Sequence, residues 1–179
     1  MNEPSDTILV QQSLTGDRTA FSRLVLRYQT SVFGLAYRMT GNRDDAADLA
    51  QDTFIRAYTK LDQYKHKYPL KNWLLSICAN QTKNRIRKIA RRRGAEQSHF
   101  DIYTSDTGNG NPNRIVLEEA LARIPESLRI PLILKHIEGL SYEEISEILS
   151  IGISAAKMRV KRGRDMLIDL LDTEGGKTI

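Results

Sequence analysis

The sequence has few of the residues that build disulfides, metal centres and membrane spans. Its 179 residues include one cysteine, Cys78, and three histidines. A lone cysteine forms neither an intrachain disulfide nor a cysteine-based metal site, as is typical of a reducing compartment. No stretch approaches about 18 apolar residues, and the first residues have neither a basic start nor an apolar run. We therefore expect a cytoplasmic protein with no export signal and no direct membrane insertion.

The patterns of common catalytic sites are also missing. His66, His99 and His136 stand far apart, no carboxylate or histidine pair has the spacing of metal ligands, and there is no glycine-rich phosphate loop. Cys78 falls on an apolar helix face, which favours a buried structural thiol over a nucleophile. The sequence therefore predicts no enzyme activity, no catalytic residue, no bound metal and no cofactor.

What the sequence does have is charge, and the charge is segregated. Residues 63–95 contain ten basic residues and no Asp or Glu, and residues 153–164 contain five basic residues and again no acid. By contrast, residues 42–52 contain four aspartates, and residues 117–147 contain seven glutamates. Such segregation indicates two separate anionic partners and one basic partner. A set of solvated helix faces is the alternative.

Hydrophobic periodicity predicts an all-α protein made of two small helical domains joined by a flexible linker. Apolar residues recur at helical spacing nearly throughout, and no segment alternates as a half-buried strand does. We expect a first domain over 1–95, a polar linker over 96–113, a second domain over 114–172 and a tail over 173–179. In the first domain, one helix is predicted to bury an apolar stripe that consists of Ala47, Ala50, Phe54, Ala57, Tyr58 and Leu61.

The second domain contains the pattern of a helix-turn-helix. Ser141 and Glu144 are spaced as a capping box at the start of a short helix, which breaks at residues 150–152 and is followed by a longer basic helix. On that recognition helix Ile153, Ala156, Val160, Gly163 and Leu167 are predicted to face the core. The basic side chains opposite them can donate to guanine edges or to phosphates. The alternative is a bundle helix with a solvated basic side.

In the first domain, an aromatic and basic stripe is typical of contact with unpaired bases. Trp73, Asn80, Asn84, Arg87 and Arg91 share one helix face opposite the apolar one, so the only tryptophan is expected to point away from the local core. The preceding loop, residues 64–68, repeats this mixture of aromatic and basic side chains. Unstacked bases need a π-surface, an amide that reads an edge and a cation for the backbone. An ordinary buried tryptophan is the alternative.

The preceding helix has an acidic face with an exposed isoleucine in it. This docking face consists of Asp44, Asp48, Gln51, Asp52, Ile55 and Thr59. Carboxylates around an exposed apolar side chain are more typical of protein docking than of a solvated surface.

With these features in place, the sequence resembles the extracytoplasmic-function class of bacterial sigma factors, which are sigma-70-like subunits of RNA polymerase. The resemblance extends from about Ile8 to Leu171 and is strongest over residues 16–21, 48–58, 72–80, 124–129, 138–145 and 162–164. Such a protein is an alternative sigma factor that directs transcription initiation at chosen promoters. A stand-alone helix-turn-helix repressor or activator, with the first domain as a dimerisation or sensor module, is the second hypothesis.

The resemblance implies a role for each surface. Asp48, Gln51, Asp52 and Ile55 would dock on the clamp helices of the polymerase largest subunit, and the polymerase flap would be a second contact. The base-binding surface would recognise and open the promoter −10 element, and it consists of Tyr64, Lys65, His66, Lys67, Tyr68, Trp73, Asn80, Lys83, Asn84 and Arg87. The recognition helix would read the −35 element of promoter DNA through Ser154, Lys157, Met158, Arg159, Lys161, Arg162 and Arg164. An anti-sigma factor is a further expected partner.

Two departures from the family pattern affect the −35 element. Ser154, Ala155 and Ala156 stand where the family commonly has Gly, Thr and Val, and Met158 stands where Ser or Thr is common. The base preference at −35 therefore does not follow from the resemblance.

Overall fold

The computed structural model describes residues 3–93 and 112–175, and within them every regular element is helical. The first group of helices is α1 (Asp6–Leu14), α2 (Arg18–Thr40), α3 (Arg43–Thr59), a 3₁₀ turn (Leu61–Gln63) and α4 (Leu70–Arg93). The second group is α5 (Pro112–Arg123), α6 (Glu126–His136), α7 (Tyr142–Leu149) and α8 (Ile153–Gly175). The predicted all-α class, with two helical domains and a helix-turn-helix, is confirmed. The linker predicted over 96–113, apart from its last two residues, lies outside the described part of the chain, as do His99 and residues 176–179.

Local capping explains where the helices of the first domain begin. The side chains of Ser5, Asp17 and Asn42 accept hydrogen bonds from backbone N–H groups in the first turns of α1, α2 and α3. Helix α2 ends at Gly41, whose φ of 68° is a left-handed conformation that glycine adopts without strain. The chain can therefore reverse between α2 and α3 over two residues, which makes these long helices neighbours.

The buried face of α3 differs from the predicted one. Ala46, Leu49, Thr53, Phe54 and Ala57 are buried, whereas Ala47 and Tyr58 are exposed, so the prediction was wrong for those two residues. The reason is Thr53, which is fully buried because its hydroxyl donates to Leu49 O at 2.7 Å and lies 2.9 Å from Gln81 Oε1. With Thr53 facing inward, Tyr58 lies at the domain edge, where its ring meets that of Phe21 edge-on at 4.9 Å.

In the second domain, α8 packs closely across α6. The predicted capping box is present, because Ser141 Oγ accepts from Glu144 N and Glu144 Oε2 accepts from Ser141 N. The buried side chains of α8 include Ala156 and Val160, but Ile153 is 41% exposed, so its predicted place in the core was wrong. Ile153 is the first residue of α8 and therefore lies at the turn rather than over α6.

We expect Gly163→Ala to destabilise the helix-turn-helix. A Cβ atom at position 163 would lie 2.9 Å from Leu128 O, and this backbone atom can move aside only if α6 shifts. Overpacking of this kind costs about 1–3 kcal/mol in the free energy of unfolding. Thermal unfolding followed by circular dichroism measures the loss. Gly152→Ala is the control, because its Cβ would have no neighbour within 4 Å; equal melting temperatures for the two variants would contradict the close approach.

The two domains lie against each other in this structure. One continuous apolar cluster includes Leu74 and Leu75 of α4 together with Ile145, Ile148 and Leu149 of α7. At the end of α2, the buried guanidinium of Arg129 in α6 donates from Nη2 to Met39 O at 2.9 Å. Both apolar packing and a buried polar contact therefore connect the domains.

Candidate nucleic-acid and docking surfaces

The docking face on α3 is solvent-exposed. Asp44, Asp48, Gln51, Asp52 and Thr59 are all exposed, and the Ile55 side chain is 56% exposed. Arg85 of α4 lies at one edge of this face, with Nη2 2.5 Å from Asp45 Oδ1 and 3.7 Å from Asp48 Oδ2. The face therefore presents carboxylates around an accessible apolar side chain, which is a suitable surface for a basic partner.

The recognition helix α8 presents a basic outer face. Ser154, Lys157, Met158, Lys161, Arg162 and Arg164 are exposed, and Arg159 is half-buried. The turn before the helix places Ser150 in a left-handed conformation with φ 53°. Lys157 Nζ lies 5.7 Å from the centre of the Tyr142 ring in α7, and this ring and Ala156 help to fix the helix against its partner. Six of the seven side chains predicted to contact the −35 element are therefore exposed along one helix.

The loop of the base-binding surface is held by its own aromatic side chains. The Tyr64 hydroxyl donates to Tyr68 O at 2.8 Å, and the Tyr64 and His66 rings lie 4.5 Å apart. Lys67 Nζ lies 4.9 Å from the centre of the Tyr68 ring. His66 has φ 34°, a conformation uncommon for a residue with a Cβ atom. Lys65, His66 and Lys67 are exposed on this braced loop.

The helical part of the base-binding surface is exposed only in part. Asn80, Asn84 and Arg87 are exposed and Lys83 is half-buried, while the side chain of Arg91 lies outside what the structure describes. Trp73 does not point away from the core as predicted: it is half-buried, packs against the apolar cluster and lies 5.4 Å from the Tyr64 ring. Trp73 lies on α4 one turn before the half-buried Ile77 and near the buried Cys78, so its large ring covers the edge of that core.

Contacts between the base-binding surface and the second domain were not predicted from the sequence. Lys67 Nζ lies 2.6 Å from Glu147 Oε1, and the Tyr68 hydroxyl donates to the same oxygen at 3.1 Å. Asn72 donates to Glu144 Oε1, and Lys71 Nζ lies 2.9 Å from Glu138 Oε2. The hydrogen bond from Lys67 lowers the pKa of the Glu147 carboxyl, and the same bond raises the pKa of Lys67.

Two clefts follow the line where the domains meet. The first, of about 300 Å³, is lined by Tyr64, Lys65, Trp73 and Asn80 on one side and by Glu144, Glu147 and Ile148 on the other. The second, of about 600 Å³, contains Lys83 and Arg87 of α4 opposite Glu126, Ser150 and Arg159. Most of the base-binding surface therefore borders the helix-turn-helix domain.

Other features concern chemistry rather than binding. Cys78 is fully buried, and burial raises the pKa of its thiol to about 11. Within residues 3–93 and 112–175, no three His, Cys, Asp or Glu side chains come together as a metal site would require. Among the helices described there, none is both long enough and apolar enough to cross a membrane.

Comparison with family models identifies both domains. Residues 24–93 match sigma-70 region 2, and residues 114–167 match sigma-70 region 4. The first match contains the docking face and the base-binding surface, and the second contains the helix-turn-helix.

Similar proteins match over nearly the whole chain. The ECF RNA polymerase sigma-E factor of Haemophilus influenzae is 32% identical over 91% of this chain and 93% of its own. The ECF RNA polymerase sigma factor SigW of Bacillus subtilis is 33% identical over 88% of this chain and 92% of its own.

Solved structures agree with these matches. The sigma factor RpoE of Bartonella quintana, solved with the anti-sigma factor NepR, has a TM-score of 0.74 and 27% identity, over 85% of this chain and 96% of that one. CnrH, solved with the cytosolic domain of CnrY, has a TM-score of 0.69 and 28% identity, over 94% of this chain and 97% of that one. The two region models match successive parts of the chain, and the relatives match over nearly their whole length. This chain therefore belongs to the extracytoplasmic-function family of sigma-70-like factors, which are alternative sigma factors that direct transcription initiation.

Proposed function

We propose that three surfaces of this chain bind different partners during transcription initiation. Asp48, Gln51, Asp52 and Ile55 bind the clamp helices of the polymerase core, and the base-binding surface captures bases of the opened −10 element. The recognition helix reads the −35 element in duplex DNA. Sigma factors are regulatory subunits, and the chain itself supplies binding energy and specificity rather than catalysis.

The observation that carries this proposal is the separation of opposite charges onto different exposed faces. The docking face of α3 is acidic, whereas the outer face of α8 and the loop at 64–68 are basic. A basic helix fits the phosphates and guanine edges of a major groove. Aromatic and amide side chains beside cations fit single-stranded bases, which present both a π-face and a charged backbone. One chain thus offers suitable surfaces for duplex DNA, unpaired DNA and a basic protein.

The proposal extends to partners and location. Two similar sigma factors were solved with another protein bound, an anti-sigma factor in the case of RpoE. We propose that an anti-sigma factor likewise binds this chain and controls its access to polymerase, and that the chain acts in the cytoplasm, where polymerase and promoter DNA are found.

Reconstituted transcription tests the proposal. Core polymerase with this chain is expected to start transcripts at a defined set of genomic fragments, whereas core alone is not. At such a promoter, alanine at Lys157, Lys161 or Arg162 should relax preference at particular −35 base pairs, because a good base contact discriminates by about 1–3 kcal/mol. Alanine at Arg159 or Arg164 should weaken all sequences alike and reduce the salt dependence, because phosphate contacts carry no sequence information.

Competition binding of the holoenzyme to promoter variants separates the two kinds of contact. Arg23→Ala serves as a charge control, because Arg23 is exposed on α2 in the first domain, on a different element from the recognition helix. If all five alanine variants lost affinity equally on every sequence, the division between reading and positioning residues would be refuted. Failure of the wild-type chain to program core polymerase would refute the proposed function as a whole.

A further inference from the structure

A positive charge lies at the edge of the acidic docking face. Arg85 belongs to α4, which contributes to the base-binding surface, but its side chain reaches across to α3. Its Nη2 atom donates to Asp45 Oδ1 at 2.5 Å and lies 3.7 Å from Asp48 Oδ2. Asp48 is one of the four residues proposed to bind core polymerase. A cation of the same chain therefore stands beside the surface that a basic partner would approach.

Helix packing holds Arg85 in this position. Gln81 lies four residues earlier on the same face of α4, with its Oε1 atom 2.9 Å from the hydroxyl of the fully buried Thr53. The Nε2 atom of Gln81 donates to Asp52 O at 3.4 Å. These contacts keep α4 alongside the docking face independently of any ion pair. The guanidinium is therefore held at this edge by the packing of two helices.

Arg85 neutralises its two aspartates unequally. Its side chain and that of Asp45 are 35% and 37% exposed and in close contact, whereas Asp48 is 67% exposed and farther from the same nitrogen. The Asp48 carboxylate is therefore accessible to a basic partner, but the partner's cation must come to lie near the charge of Arg85. Like charges in such proximity repel. A charge at the rim of an interface acts mainly on the association rate and on its salt dependence.

We propose that Arg85 limits the affinity of the docking face for core polymerase, because its charge repels the basic side chains that approach Asp48. Asp45 moderates this effect, since the close contact with Asp45 keeps the guanidinium from pairing closely with Asp48. Arg85 thus tunes docking from outside the contact surface. This inference rests on the proposed docking of α3 on core polymerase and adds to it the α4 residue that regulates the strength of docking.

The test uses two variants that should change core binding in opposite directions. Arg85→Gln removes the repelling charge, so it should raise the association rate constant and tighten binding about threefold to tenfold at low ionic strength. Asp45→Asn frees Arg85 to pair with Asp48, so it should weaken binding by a similar factor. Both effects should shrink as salt is added, because the Debye length falls from about 10 Å at 0.1 M to about 3 Å at 1 M. Stopped-flow fluorescence anisotropy with labelled full-length chain and unlabelled core measures the rate constants.

Two further variants separate charge from packing. Arg85→Lys keeps the positive charge but loses the planar guanidinium, and it should bind core as the wild type does. Arg23→Gln removes one positive charge from an exposed position on α2 outside the docking face, so it should change the affinity by less than about twofold. Circular dichroism and thermal unfolding verify that each variant retains the packing of α3 against α4, which the contact between Gln81 and Thr53 also maintains.

The remaining outcomes overturn the inference. Weaker core binding by both Arg85→Gln and Asp45→Asn would mean that their ion pair positions α3, and unchanged binding by both would mean that Arg85 has no influence on docking. A gain in Arg23→Gln equal to that in Arg85→Gln would assign the effect to net charge alone. The double variant Asp48→Lys with Asp52→Lys tests the docking itself. If it loses binding while Arg85→Gln binds as the wild type does, only this inference fails, whereas wild-type binding by the double variant would refute the proposed docking as well.

Discussion

Charge reversal of Asp48 and Asp52 to lysine is expected to weaken binding to core polymerase by about 100-fold or more. Both carboxylates are exposed on α3 beside Ile55, and like charges placed against a basic partner cost several kcal/mol. The helical fold should be unaffected, because neither side chain is buried. Affinity measured by fluorescence anisotropy with labelled chain and unlabelled core gives the result directly.

Two variants make this measurement specific. Asp62→Lys carries a charge reversal in the same domain but lies in the 3₁₀ turn outside the docking face, and it should bind core normally. Ile55→Ala should give an intermediate loss, since about half of its side chain is free to be covered by a partner. Wild-type affinity for the double reversal, with unchanged circular dichroism, would exclude this face as the docking site.

Asn80→Ala should reduce promoter opening about tenfold or more while leaving core binding and stability intact. Its amide is exposed, so truncation removes the proposed base contact, worth about 1–3 kcal/mol, without disturbing packing. Extruding a base costs a few kcal/mol, and stacking on an aromatic side chain returns about 1–3 kcal/mol, so the balance is narrow. Permanganate reactivity of thymines in the opened region measures the effect. Gln29→Ala, which truncates an exposed amide on α2, is the control and should open promoters normally.

Trp73 requires a different comparison because it both packs against the core and lines the cleft. Trp73→Ala should lower both the melting temperature of the protein and the extent of promoter opening. Trp73→Phe keeps an aromatic surface and should retain most of the stability. Loss of opening in Trp73→Phe at normal stability would indicate that stacking depends on the indole. Normal opening in a stably folded Trp73→Ala protein would exclude the stacking role.

Local chemistry made much of the fold predictable. The N-cap at Asn42 and the capping box of Ser141 and Glu144 involve hydrogen bonds between residues three positions apart, and the turn at Gly41 depends on a single residue. Such local features can be read directly from the sequence. The buried face of α3 was harder to predict from the sequence, because threonine is a polar residue. Thr53 is buried because its hydroxyl forms hydrogen bonds that exist only in the folded structure. Periodicity of apolar residues therefore placed Tyr58 inside when it lies at the edge.

Charge pairs between residues far apart in the chain do not follow from the sequence pattern. Lys67 and Glu147 are 80 residues apart, and no local pattern connects them. The acid-free block at 63–95 and the glutamate-rich stretch at 117–147 are visible in the sequence, where they indicate outside partners or, as the alternative, solvated helix faces. Complementary blocks in one chain can also satisfy each other, and only the packing of α7 against α4 distinguishes the two possibilities.

The buried thiol of Cys78 limits how this chain can respond to oxidants. Cys78 is the single cysteine of this sequence. Burial raises the pKa of this thiol to about 11, which disfavours the reactive thiolate at neutral pH, and the surrounding core prevents contact with peroxide or a second thiol. An oxidant can therefore reach this thiol only after the helices packed around it have moved apart.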